Sequence, residues 1–186
     1  MSTTDQLRAA MRAIEDASAE TADTILSEYE KLYGQNPDLA VAALFGLGSK
    51  YLAVGAPETC GIIGCGSAGP AIIACHTLLF GPLEYRVVGE SIAGTTSTSV
   101  EDAFACDLVC LATDQDFSLH WIADATHLNV RQADEISAAV KALCEIVTLT
   151  ALKPRQETEE RSLSEVICGQ VSGRVGEELT MLRVCS

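Results

Sequence analysis

Thr59-Cys60-Gly61-Ile62-Ile63-Gly64-Cys65-Gly66-Ser67-Ala68-Gly69 decides the fold: a short apolar strand runs straight into G-x-G-x-x-G and then into a helix-like stretch. The three glycines have separate tasks. Gly64 makes the tight turn, Gly66 lets backbone approach a pyrophosphate, and Gly69 lets helix and strand pack closely. The helix that follows aims free N–H groups and the positive end of its dipole at the same place. Cys65, Ser67 and Ala68 complete the expected phosphate loop. A thiolate would also be favoured at Cys65, so close to a helix N-terminus, which leaves a redox role open beside the binding one.

The flanks carry the reading beyond a lone glycine motif. Ala68 to Leu79 is expected to be the crossover helix and Glu84-Tyr85-Arg86-Val87-Val88 a second strand, ending near Glu90. An acidic residue about 20 positions past the glycines is where such folds hydrogen-bond the adenosine ribose. A carboxylate there repels a 2′-phosphate, and no Arg follows within several residues, so NAD is expected over NADP.

Strand and helix continue to alternate. Ser91 to Ser99 reads as a hydroxyl-rich loop, Val100 to Ala105 as a short helix, and Asp107 to Thr113 as a buried parallel strand. His127 to Val130 and Glu145 to Leu149 read as further strands, separated by a helix over Ile136 to Leu143. Lys153 to Arg161 reads as a charged loop and Leu163 to Ile167 as a short helix. The expected architecture is a Rossmann-like, doubly wound parallel sheet with an N-terminal helical extension. Residues 1–37 form the extension and 38–186 the nucleotide-binding domain. Within the extension, Leu7, Met11, Ile14, Ala22, Ile25, Tyr29 and Leu32, a series that only the small Ser18 breaks, predict one amphipathic helix over residues 5–33. Gly34 and Asn36-Pro37 stop it, and Asp38 is expected to cap a second helix reaching Ala53. So long a leading helix favours self-association, or pairing with a partner chain.

Composition narrows the function classes. The 186 residues carry 26 acidic against 12 basic side chains, a formal charge of −14, which argues against nucleic acid and anionic membrane as partners. There is no long apolar run and no signal-peptide pattern after Met1, so a soluble, cytoplasmic protein is expected. Eight cysteines at apolar strand and helix positions, among them Cys75, Cys106, Cys110 and Cys144, read as buried thiols, and no zinc-like spacing supports a metal. His76 reads as a packing residue, and His120 and His127 as structural.

Several landmarks, in order, resemble the ornithine cyclodeaminase and mu-crystallin family. Ser49-Lys50-Tyr51-Leu52-Ala53 followed by Gly61-Ile62-Ile63-Gly64 is similar to its K-Y-L-A helix and G-I-I-G loop. Ala105 to Thr113 resembles A-D-I-V-x-x-A-T, Trp121 to Val130 resembles W-L-x-P-G-x-H-I-N-A, and Ala133-Asp134 resembles the following G-A-D. Leu163 to Ile167, Gly169, Gly173-Arg174 and Glu178 to Ser186 resemble the late L-G-E-V-I-x-G, G-R and E-I-T-x-F-x-S. The resemblance covers about residues 39–186.

It implies NAD-dependent chemistry at the amine or imine carbon of an amino or imino acid, with cofactor contacts extended to Ala112, Thr113 and Asn129. It also implies a proton-transfer and amine-binding role for Asp134. From the residues alone, Asp134 serves equally well as the cap of a helix starting near Glu135. Departures matter too. Ala40 and Val41 stand where the family has Arg-Thr, Gln132 replaces a glycine, and one helix is read in place of a larger N-terminal substrate and dimerisation domain. With those cations gone, a substrate carboxylate lacks an obvious partner, although Arg131 stands beside the active-site strand. A catalytically reduced subunit that keeps the nucleotide fold is therefore the alternative expectation.

Overall fold

The structure is a computed structural model that describes residues 2–18, 22–53, 55–112, 127–130, 146–150, 161–162 and 180–184. Thr113, Asp134 and the helices expected over Ile136 to Leu143 and Leu163 to Ile167 lie outside the described residues.

Three helices precede the sheet: α1 (Thr3–Ser18), α2 (Ala22–Gln35) and α3 (Pro37–Leu52). The single helix expected over residues 5–33 is thus two, and they pack on each other and on α3. Both halves keep the same apolar spacing, and the one interruption of the series, the small Ser18, is the residue at which α1 ends. A continuous rod over that span would run about 40 Å, and folding it back brings Leu7, Met11 and Ile14 of α1 and Tyr29 of α2 into one core. The cap of α3 is also displaced by two residues from expectation. Asn36, in extended conformation, accepts the Leu39 N–H at 3.2 Å, and Pro37 takes the first helical position. Proline pushes the residue before it out of the helical region, which is the backbone an N-cap needs. From Leu39 to Ser49 every residue of α3 is buried. Burying Leu44, Phe45 and Leu47 completely contributes roughly 1.5–3 kcal/mol each.

The sheet follows: β1 (Thr59–Ile63), a 3-10 turn (Gly66–Ala68), α4 (Gly69–Phe80), β2 (Glu84–Val88), β3 (Thr96–Ser97), α5 (Val100–Phe104) and β4 (Leu108–Leu111). Then come β5 (His127–Val130), β6 (Ile146–Thr150), β7 (Arg161–Ser162) and β8 (Thr180–Val184). Among the described residues the strands form one sheet, ordered β3-β2-β1-β4-β5-β6-β8-β7, and every pairing is parallel. The first six positions are the Rossmann order, with the chain reversing direction across the sheet between β1 and β4. The edge strand β3 lies in the stretch expected to be loop, and β7 and β8 were not anticipated as strands; β3 and β7, of two residues each, have no periodicity to read.

Alternation along β1 divides the two layers. Cys60 and Ile62 join the core shared with α1, α3 and α4, whereas α5 packs across β1 and β2 on the other side. Tyr85 of β2 points the same way as Cys60, its hydroxyl 2.7 Å from Thr77 Oγ1 and donating to the Ile73 carbonyl at 3.1 Å on α4. At the amino end of the sheet the Asp107 carboxylate accepts from the Glu58 and Thr59 N–H groups, each at 2.9 Å, which ties the starts of β1 and β4 together. Burial would raise the Asp107 carboxyl, but these hydrogen bonds outweigh it and hold it below the usual range.

Candidate dinucleotide site

The carboxyl ends of β1 and β4 open onto a cleft of about 350 Å³. This is where the sheet reverses, the position at which open α/β sheets bind ligands. One wall is the loop Gly64 to Ala68. The other is the start of α3, with Pro37, Asp38 and Val41, flanked by Tyr33 of α2. Ala112 forms part of the floor, and its N–H donates to the Ile63 carbonyl at 3.0 Å.

Gly64 and Gly66 both have positive φ, 65° and 52°, where L side chains are disfavoured. A Cβ built on Gly66 meets nothing within 4 Å, so the loop backbone faces open space there. At Gly69, which starts α4, a Cβ would come within 2.8 Å of Ile92 Cδ1 and 4.0 Å of Glu90 Oε2. The Glu90 carboxylate therefore stands beside the first turn of α4. The residues fit a dinucleotide in three respects: the N–H-rich turn, the open approach at Gly66, and an acid beside the helix start. They depart from it in one, since no residue lining the described cleft is Lys or Arg.

Other candidates stand differently. Cys65 is buried, and its thiol points into the sheet, 3.4 Å from the Cys110 carbonyl and 3.6 Å from that of Ile63. Asn129 is fully buried. Its side-chain N–H donates at 2.9 Å to Ser49 Oγ, which in turn lies 2.9 Å from His76 Nε2. This chain joins β5, α3 and α4 behind the cleft, and its members are not among the lining residues. His76 Nδ1 is 2.9 Å from the Ile72 carbonyl. Burial pushes the His76 imidazole down to about 4, partly opposed by that carbonyl. His127, also fully buried, is pushed down to about 3 by burial and then by the neighbouring His76. Cys60, Cys65, Cys75, Cys106 and Cys110 are all buried.

Sequence reasoning passed over Asp38 as a cleft residue. Ser67 Oγ donates to Asp38 Oδ1 at 2.8 Å, across the cleft. Local signals place an acid so near a helix start as a cap, and only the packing of α3 against the loop reveals the contact.

The fold and cleft define a Rossmann-type α/β protein. No helix among the described residues is long and apolar enough to cross a membrane. No family model matches the chain and no curated protein matches it. Similar folds occur among solved structures. One is Thermococcus litoralis Delta(1)-pyrroline-2-carboxylate reductase in complex with NADH and L-proline, with TM-score 0.60 and 16% identity, covering 81% of this chain and 59% of that one. Another is an archaeal alanine dehydrogenase dimer with bound NAD, with TM-score 0.59 and 19% identity, covering 83% of this chain and 60% of that one. A third is a probable ornithine cyclodeaminase from Bordetella pertussis Tohama I, with TM-score 0.59 and 13% identity, covering 83% of this chain and 62% of that one. The chain spans about three fifths of the length of these structures. The likeness is one of fold, and the third structure carries the name of the family that the sequence motifs resemble.

Proposed function

We infer that this chain is the dinucleotide-binding core of an NAD-dependent oxidoreductase or cyclodeaminase-type protein acting on an amino or imino acid. One observation carries the reading: the Gly64–Gly69 loop lies at the reversal between β1 and β4, with the Glu90 carboxylate beside the start of α4. Structures of similar fold contain NADH with L-proline, or NAD, which supports both the cofactor class and a small amino or imino acid as substrate. Glu90 favours NAD over NADP by charge.

When bound, the nicotinamide supplies the acceptor and donor of a hydride at the amine carbon. The chain's own residues bind and orient: loop N–H groups hold the pyrophosphate, and Glu90 holds the ribose. Asp134 takes and returns the proton of the substrate amine. A second reading, a nucleotide-binding subunit with reduced catalytic machinery, draws on one observation: the cleft wall opposite the loop presents Asp38 and no cation. Self-association through the N-terminal helices is compatible with either.

Calorimetric titration with NAD, NADH, NADP and NADPH tests the shared step. Micromolar binding with NAD preferred is expected, followed by oxidation of NADH when cyclic imines are added. Binding without turnover on any cyclic imine or diamino acid would favour the second reading. Absence of binding to all four would remove both.

A further inference from the structure

The cleft already holds an anion, and it belongs to the protein. Asp38 is not needed as a cap, because Asn36 fills that role. Its carboxylate instead reaches across to Ser67, 29 positions away, and accepts a hydrogen bond from the hydroxyl at 2.8 Å. It sits in the first turn of α3, while Ser67 sits in the 3-10 turn that leads into α4. The two helix starts thus flank a single carboxylate, in a place where N–H groups and dipoles favour negative charge. No Lys or Arg lines the described cleft to offset it.

We propose that Asp38 is an internal competitor for the phosphate position: by occupying the Ser67 hydroxyl and placing a carboxylate in the cleft, it sets how tightly the loop takes phosphorylated ligands. The proposal rests on the dinucleotide reading above. A pyrophosphate entering the cleft must release the Ser67 hydroxyl from Asp38 and then lie close to a like charge. A neutral nucleoside meets neither obstacle. Asp38 therefore weakens binding in proportion to ligand phosphate charge, and selects against polyphosphate ligands more strongly than against nucleosides.

The test is titration of the full chain and of Asp38→Asn with adenosine, ADP-ribose and NAD. The amide keeps an oxygen that accepts from Ser67 while removing the charge. ADP-ribose and NAD should bind Asp38→Asn about tenfold more tightly, the size expected for one like charge removed at close range in a partly exposed cleft. Adenosine should change by less than about twofold, and the gain should shrink at high salt. Asp38→Ala should move ADP-ribose in the same direction, and guards against an Asn that fails to fold. Unchanged or weaker ADP-ribose binding by both variants, with wild type binding normally, overturns the role of Asp38 and leaves the dinucleotide reading standing. Failure of every chain to bind any phosphorylated nucleotide overturns both.

Discussion

The two walls of the cleft are built from opposite logic. The loop wall, Gly64 to Gly69, is a run of small residues whose backbone bends through positive φ at Gly64 and Gly66 and leaves open space at Gly66. It is shaped to receive an anion. The α3 wall is a buried apolar helix whose start offers Pro37, Val41 and a carboxylate, so it contributes an anion of its own. Neither wall defines the site alone. Behind them the Asn129–Ser49–His76 chain and the close approach of Gly46 on α3 to α4 hold the walls together, so the loop is positioned partly by a helix whose first turn lies more than twenty residues upstream.

The largest expected effect bears on that joint. His76 and His127 have folded values near 4 and 3, against 6.5 when unperturbed. Because both are lowered, the unfolded chain takes protons first as the solution is acidified. Stability is intact above pH 6.5 and erodes below it, down towards the folded values. By about pH 5 each imidazole should cost on the order of 2 kcal/mol. Thermal melts between neutral and mildly acid pH should show the decline, and His76→Gln should flatten it whatever it does to the level. A pH-independent melting temperature would break the claim that the walls are pinned through neutral imidazoles.

Next comes the packing of the walls. A Cβ at Gly46 would collide with Cys75 Sγ and press on Leu79 Cδ1 at 3.3 Å. Gly46→Val should therefore cost about 3 kcal/mol by overpacking, read by denaturant unfolding, and a neutral result would mean that α3 and α4 are not in close contact. Gly66→Val acts on the loop wall alone. Its Cβ has open space, but a φ of 52° strains a β-branched residue, so the loop should distort while the rest of the fold stands, as judged by circular dichroism, and NAD binding should weaken by roughly a hundredfold, about 2.7 kcal/mol; unchanged affinity would sink the phosphate-loop assignment. Smallest is Glu90→Gln at the outer edge of that wall, which should reduce the preference for NAD over NADP by about fivefold in paired titrations.

The difference between the walls also governs what could be read from residues alone. Gly64, Gly66 and the apolar runs of β1 and β4 are dictated by local needs: a backbone only glycine adopts readily, or a strand buried on both faces. These were legible, and Glu84–Val88 and His127–Val130 fall where expected. The α3 wall depends on long-range packing. The break between α1 and α2 is marked only by Ser18, one small residue in an otherwise apolar series, the cap at Asn36 is decided by Pro37, and the Asp38–Ser67 contact joins residues with no pattern in common. Asn129 and Ser49 likewise gave no sign of meeting, since an Asn in a strand and a Ser late in a helix have no shared spacing.

Amide hydrogen exchange of the full chain, with and without saturating NAD, tests the central claim most directly. The account predicts slowed exchange at Gly64 to Gly69 and at Ala112, where the sheet reverses, with little change at the far end of the sheet around Glu58 and Asp107. Binding accompanied by protection elsewhere, with the glycine loop unaffected, would contradict it.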